Sequence, residues 1–127
     1  MGSFVHRWVF ALSLALATVY ASAFDCRLPV PDGGELRPSP PNLRGEIVRI
    51  EESFVYVRRT STKRLIKVEL PDPPEIYSAF GGDISVEELA PGQWASVWFV
   101  ICKWPKTGTP VAAYFQVYSK NPTDGPK

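Results

Sequence analysis

Histidine, methionine and cysteine are nearly missing from this chain of 127 residues, which holds one His, one Met and two Cys. The histidine is His6, at the extreme N-terminus, so the rest of the chain works without an imidazole. That excludes His-based metal sites, the usual general base near neutral pH, and every catalytic triad that needs an imidazole. No Ser-x-x-Lys spacing is present; Ser61-Thr62-Lys63 is one residue too tight to activate a serine. The Asp-x-Asp-x-Asp-Gly spacing of a calcium loop is also missing, although Asp72, Glu75, Asp83, Glu87 and Glu88 form an acidic stretch. The formal net charge is only +1, which lacks the global field of a dedicated DNA-binding protein. No internal repeat is visible, and no apolar run is a convincing membrane span. These absences predict a protein without catalytic residues, metal or other cofactor.

What is present begins with a leader. His6 and Arg7 supply a short basic start, an apolar run extends from Trp8 through Tyr20, and Ala21-Ser22-Ala23 offers small residues where a signal peptidase reads. Residues 1–23 therefore read as a signal peptide, with cleavage after Ala23 and a periplasmic or secreted destination. Ala23-Phe24-Asp25 is not the small-residue run of a lipoprotein signal. With Arg7 removed, residues 24–127 carry as many acidic as basic side chains. An exported protein with an even cysteine number pairs them. The predicted disulfide joins Cys26 to Cys102 and closes a loop worth up to ~4 kcal/mol in chain entropy. Two free thiols are the alternative, but neither cysteine lies in a Cys-x-x-Cys motif or a basic, helix-starting context.

Residues 24–44 form a Pro-rich arm, with Pro29, Pro31, Pro38, Pro40 and Pro41 around Gly33-Gly34. From Gly45 the period switches to two. Strands are predicted at 45–51, 53–59, 64–70, 94–103 and 111–119, the first two joined by a hairpin across Glu51-Glu52. Pro71, Pro73 and Pro74 stop the third strand. A short helix or turn follows around 84–90, capped by Asp83 or Ser85. Trp94–Cys102 is apolar on both faces and belongs in the middle of the sheet. Residues 120–127 are a polar tail. Three meandering strands, a short link and two more strands give an all-β domain at 45–119: a small five-stranded OB-like barrel. The pattern G-x-I-x-x-I at 45–50, V-x-L at 68–70 and I-S-V-E-E-L-A-P-G-Q-W-A-x-V at 84–97 resembles small stand-alone OB-fold-like domains exported by bacteria. In them a Leu, Gly, Val step, here Leu89, Gly92 and Val97, leads into the fourth strand. The resemblance implies fold more than function, because such barrels host unrelated activities.

Two surfaces are candidate sites. Phe54, Tyr56, Arg58, Arg59, Arg64 and Lys67 interleave rings with cations on the second and third strands and their link, as a binder of an anionic polymer would. The polymer could be a glycan, a lipid headgroup surface or single-stranded nucleic acid; the bland reading is a solvated hairpin. Trp94, Trp98, Phe99, Trp104, Tyr114, Phe115 and Tyr118 crowd the C-terminal half. Exposed, they would stack on sugars; the expectation is core, with some rings under the arm. The functional expectation is a binding or accessory module of the cell envelope, its partner an anionic polymer or an envelope protein.

Overall fold

Alternating side chains from Leu43 onward fold into six strands of one mixed sheet: β1 (Leu43–Glu51), β2 (Phe54–Arg59), β3 (Leu65–Glu69), β4 (Ile76–Ser78), β5 (Trp94–Phe99) and β6 (Ala112–Val117). The computed structural model describes residues 26–29 and 37–119. The leader expected at 1–23, positions 24–25 and 30–36 of the arm, and the tail at 120–127 lie outside the described residues. Strand order is β3-β2-β1-β5-β6-β4, antiparallel except for the parallel β4–β6 pair.

The three-strand meander forms where the pattern predicts it. Glu51 pairs with Phe54 across a two-residue turn, and Arg58 pairs with Leu65 across the second hairpin. The odd-numbered valines of β2, Val55 and Val57, are fully buried with Val68, Leu43 and Ile47. β5 adds Ala95, Val97 and Phe99, and β6 adds Phe115 and Val117, to the same cluster. Gly45 is required where β1 changes partners: it pairs with Arg59 on one side and Ala95 on the other. A Cβ there would collide with the Arg58 carbonyl and with Val57.

Of three expectations, two are corrected and one holds. First, the sheet has six strands and is not a closed five-stranded barrel. The chain beyond the prolines recovers an extended stretch, Ile76–Ser78, which takes the β6 edge that closure would need. β3 reaches β6 only through an isolated parallel bridge, Glu69 to Val111, where the Glu69 N–H donates to the Pro110 carbonyl at 2.9 Å. Second, the short helix or turn expected around 84–90 is present as a single 3-10 turn at Val86–Glu88 with Ser85 at its N-cap, and the Glu88 carboxylate accepts from the Ser85 N–H at 3.1 Å. Third, β5 ends at Phe99 rather than 103. Val100–Cys102 is a 3-10 turn with positive φ at Ile101 and Cys102, both 54°. These dihedrals take the chain out of the sheet plane.

The disulfide joins Cys26 to Cys102 across a Cα–Cα distance of 5.5 Å. It holds the start of the arm beside the end of β5. Farther along, the Trp98 indole N–H donates to the Ser39 carbonyl at 2.6 Å. β5 is thereby covered on both faces, as its two-sided apolarity requires: the valine core lies beneath, and Trp98 and Tyr114 lie above, edge to face at 5.6 Å. Asn42 closes the arrangement. Its own N–H donates to the Val97 carbonyl, its Oδ1 accepts from the Phe99 N–H, and its Nδ2 donates to the Cys102 carbonyl, each at 2.9 Å.

Candidate functional site

The predicted basic-aromatic set is divided by the pleat. Phe54, Tyr56 and Arg58 point to the outer face of β2, opposite the buried valines. Lys67 joins them from β3, directly across from Tyr56. Arg59 faces the other way, and Arg64 lies in the exposed link before β3, its carbonyl accepting from the Arg59 N–H at 2.8 Å. The outer face also contains residues that the two-strand reading missed. A register shift between Ile47 and Arg49 brings Arg49 opposite Tyr56, and Glu51 stands opposite Phe54. The Arg49 guanidinium lies 4.1 Å from the Tyr56 ring centroid and pairs with Glu51 at 3.0 Å. The Lys67 ammonium lies 4.1 Å from the Phe54 centroid. Both rings therefore carry a cation of the protein's own, worth about 0.5–1 kcal/mol each at an exposed site. Glu46, Glu51 and Glu69 share the face with Arg49, Arg58 and Lys67 by strand pairing. The face carries equal numbers of acidic and basic side chains, with Arg49 and Glu51 ion-paired, and its rings are less available to stack on a ligand than the sequence implies.

The aromatic C-terminal half separates into three environments. Phe99 and Phe115 are core. Trp98 and Tyr114 are buried on the opposite face, where Tyr77 stacks on Tyr114 with centroids 4.6 Å apart. Pro29 of the arm lines a small cleft together with Tyr77 and Tyr114. Burial raises the Tyr114 phenol pKa above the usual tyrosine value, and Tyr77 and Asp83 add to the effect. Desolvation likewise raises Tyr77, with Glu75 and Asp83 contributing.

Trp104 is the third environment. Val100 is 50% exposed, Ile101 60% and Trp104 38%. With Phe99, Pro110 and Val111 they line a groove of about 560 Å³ along the β5–β6 connection. Trp104 packs edge to face on Phe99 at 4.7 Å, and the Arg59 guanidinium covers its ring at 4.9 Å. Arg59 thus belongs to this groove and not to the hairpin face. Lys103 and Lys106 also line it, and positions 99–111 contain no Asp or Glu. The groove is apolar at its base and purely cationic in its charge. A chain-local signal existed in the unbroken apolar run ending at Cys102 followed by Lys103-Trp104-Pro105-Lys106. It was hidden because Val100 and Ile101 read as a continuation of β5.

Among the described residues no group of His, Cys, Asp and Glu is placed to hold a metal ion, and no helix is long and apolar enough to cross a membrane. Buried polar side-chain atoms among them all have hydrogen-bond partners. No protein-family model matches the chain, and neither a curated protein nor a solved structure is significantly similar to it.

Proposed function

We propose that this chain is an exported, non-catalytic binding module on an OB-like frame, and that its contact surface is the groove along the β5–β6 connection. The single observation that carries the reading is the exposure of Val100, Ile101 and Trp104 together at one edge of a domain whose other large apolar side chains are mostly buried. A cluster of exposed apolar side chains marks an interaction site more often than a single exposed leucine does. The frame supports it: β1 pairs with both β2 and β5, and the Glu69–Val111 bridge draws the two ends of the five longer strands toward each other. The disulfide fits an oxidising compartment, consistent with a leader removed after Ala23. The hairpin face of Phe54, Tyr56, Arg58 and Lys67 remains the alternative surface for an anionic polymer. Its balanced charge and self-capped rings favour it less.

The test is a map of ligand contacts. The ¹⁵N-labelled protein is titrated separately with oligothymidylate, a heparin-derived oligosaccharide and lysophosphatidylglycerol. The groove reading expects amide shifts at positions 99–111 and at Arg59. Shifts confined to Phe54, Tyr56, Arg58 and Lys67 with the two polyanions would transfer the function to the hairpin face. No shift with any of the three would end the module reading.

A further inference from the structure

We infer that the β5–β6 connection docks on an anionic phospholipid surface, with Val100 and Ile101 entering the apolar boundary and Lys103 and Lys106 meeting the headgroups. The inference rests on the groove being the contact surface and names its partner. Three independent features of the molecule lead to it.

The first is backbone conformation. Ile101 has φ 54°, a left-handed conformation that a β-branched residue adopts at a steric penalty. Folding needs do not explain it, because the side chain is 60% exposed and contributes little to the core. Two anchors impose the shape. The Cys26–Cys102 bond fixes the end of the turn, and Asn42 bridges the Phe99 N–H and the Cys102 carbonyl. The turn is held rigid with its apolar side chains outward, which limits the entropy lost on docking.

The second is charge. Every charged residue at positions 99–111 is a lysine, and the neighbouring cation is Arg59 on the Trp104 ring. The hairpin face, by contrast, sets Glu46, Glu51 and Glu69 among Arg49, Arg58 and Lys67. Lysines flanking exposed apolar residues complement an anionic leaflet, each contributing about fivefold in partitioning.

The third is the type of the side chains. Val100 and Ile101 are 50% and 60% exposed, and Trp104 near them is 38% exposed and packs edge to face on Phe99. Exposed aliphatic side chains, a partly exposed tryptophan and lysines are the residue types that meet a bilayer boundary. A sugar-binding groove would instead present a free indole face, and Arg59 occupies one face of this indole.

The experiment is co-sedimentation of the full protein with vesicles of phosphatidylcholine alone and of phosphatidylcholine mixed with phosphatidylglycerol. Binding is expected only with the mixed vesicles and should fall as salt is raised. The double variant Lys103→Glu and Lys106→Glu should weaken it by about 25-fold or more. Ile101→Asn should weaken it by about tenfold while the protein stays folded, because asparagine tolerates the left-handed conformation. Lys67→Glu, on the hairpin face, should leave it unchanged. Absence of binding to mixed vesicles overturns the proposal, as does equal binding by Ile101→Asn or equal loss in Lys67→Glu. A dimer that forms with rising concentration and is abolished by Ile101→Asn would assign the groove to a second copy, and that too overturns it. If vesicles fail while lysophosphatidylglycerol monomers or an oligosaccharide still shift the groove amides, the lipid-surface inference falls and the binding-module reading stands.

Discussion

Replacing Asn42 by alanine should destabilise the protein by about 2–4 kcal/mol, with the damage centred on the β5–β6 connection. Two hydrogen bonds of the side chain are lost, and they are not equivalent. The Phe99 N–H that donates to Oδ1 belongs to a residue only 1% exposed. Left without an acceptor it loses about 1–3 kcal/mol of compensation for its desolvation. The Cys102 carbonyl that accepts from Nδ2 lies in a half-buried residue, so water can replace the donor and the loss is nearer 0.5–1.5 kcal/mol. The bond from the Asn42 N–H to the Val97 carbonyl is main-chain and survives. For a domain of this size the sum corresponds to a fall in Tm of roughly 10–25 °C. Asn42→Asp separates the two terms. It keeps an acceptor for the Phe99 N–H but sets a carboxylate against the Cys102 carbonyl, so it should free the turn more than β5. Thermal melts give the magnitude, and amide exchange at Phe99 gives the place. A loss below about 0.5 kcal/mol with Phe99 exchange unchanged would refute the assignment of Asn42 as the brace of this turn.

Other perturbations read different parts of the structure. Gly45→Ala sets a methyl group against the Arg58 carbonyl and Val57, and should cost about 1–3 kcal/mol in a urea melt; a neutral result would mean that β1 has more room than its pairing allows. Cys26→Ser opens a loop of 76 residues and should lower stability by at most ~4 kcal/mol. Limited proteolysis should then cut ahead of β1 before β1–β6 unfold, and an unaltered digestion pattern would show that Ser39 and Asn42 hold the arm without the bond. Tyr77 and Tyr114 should both ionise late when tyrosinate absorbance is followed. Because their folded-state pKa values are raised, their contribution to stability is complete below about pH 10 and is lost as pH rises through the folded values. Asp83→Asn should lower both only slightly, because burial is the larger cause and stays in place.

The meander was legible because its signals are local. Val55, Val57 and Val68 alternate strictly with polar or aromatic neighbours, and Glu51-Glu52 spans a turn too short for any connection but a hairpin. The disulfide was legible from cysteine number and leader. β4 was not, because three residues between a proline cluster and Gly81-Gly82 carry no period, and only the open edge of β6 makes them a strand. The end of β5 was misread for a related reason. Val100 and Ile101 are strong strand formers by type, and tertiary anchoring by Asn42 and Cys26 overrides that preference. The candidate site inherited both limits. Strand parity could place Phe54, Tyr56 and Arg58 together, but it could not show that a register shift supplies Arg49 and Glu51 to neutralise them. Nor could it show that Arg59 crosses to Trp104.

The two faces of the sheet resolve their aromatic residues in opposite ways, and the contrast separates structure from function. On the outer face of β5 and β6, Trp98 and Tyr114 are large rings that the sheet alone cannot hide. The Ser39 carbonyl of the arm accepts from the Trp98 indole, Pro29 lines a cleft beside Tyr114, and burial raises the Tyr114 phenol pKa. At the β5–β6 connection Cys26 anchors the same arm, and Val100 and Ile101 are exposed. The arm, among its described residues, does not bury this second surface. It instead fixes the second in an exposed, left-handed turn beside two lysines and no acid. Exposed apolar side chains on a left-handed turn cost stability that the Cys26 bond and the Asn42 hydrogen bonds have to offset, an arrangement that the core does not require. It follows directly if the turn is the part of the molecule that meets something else.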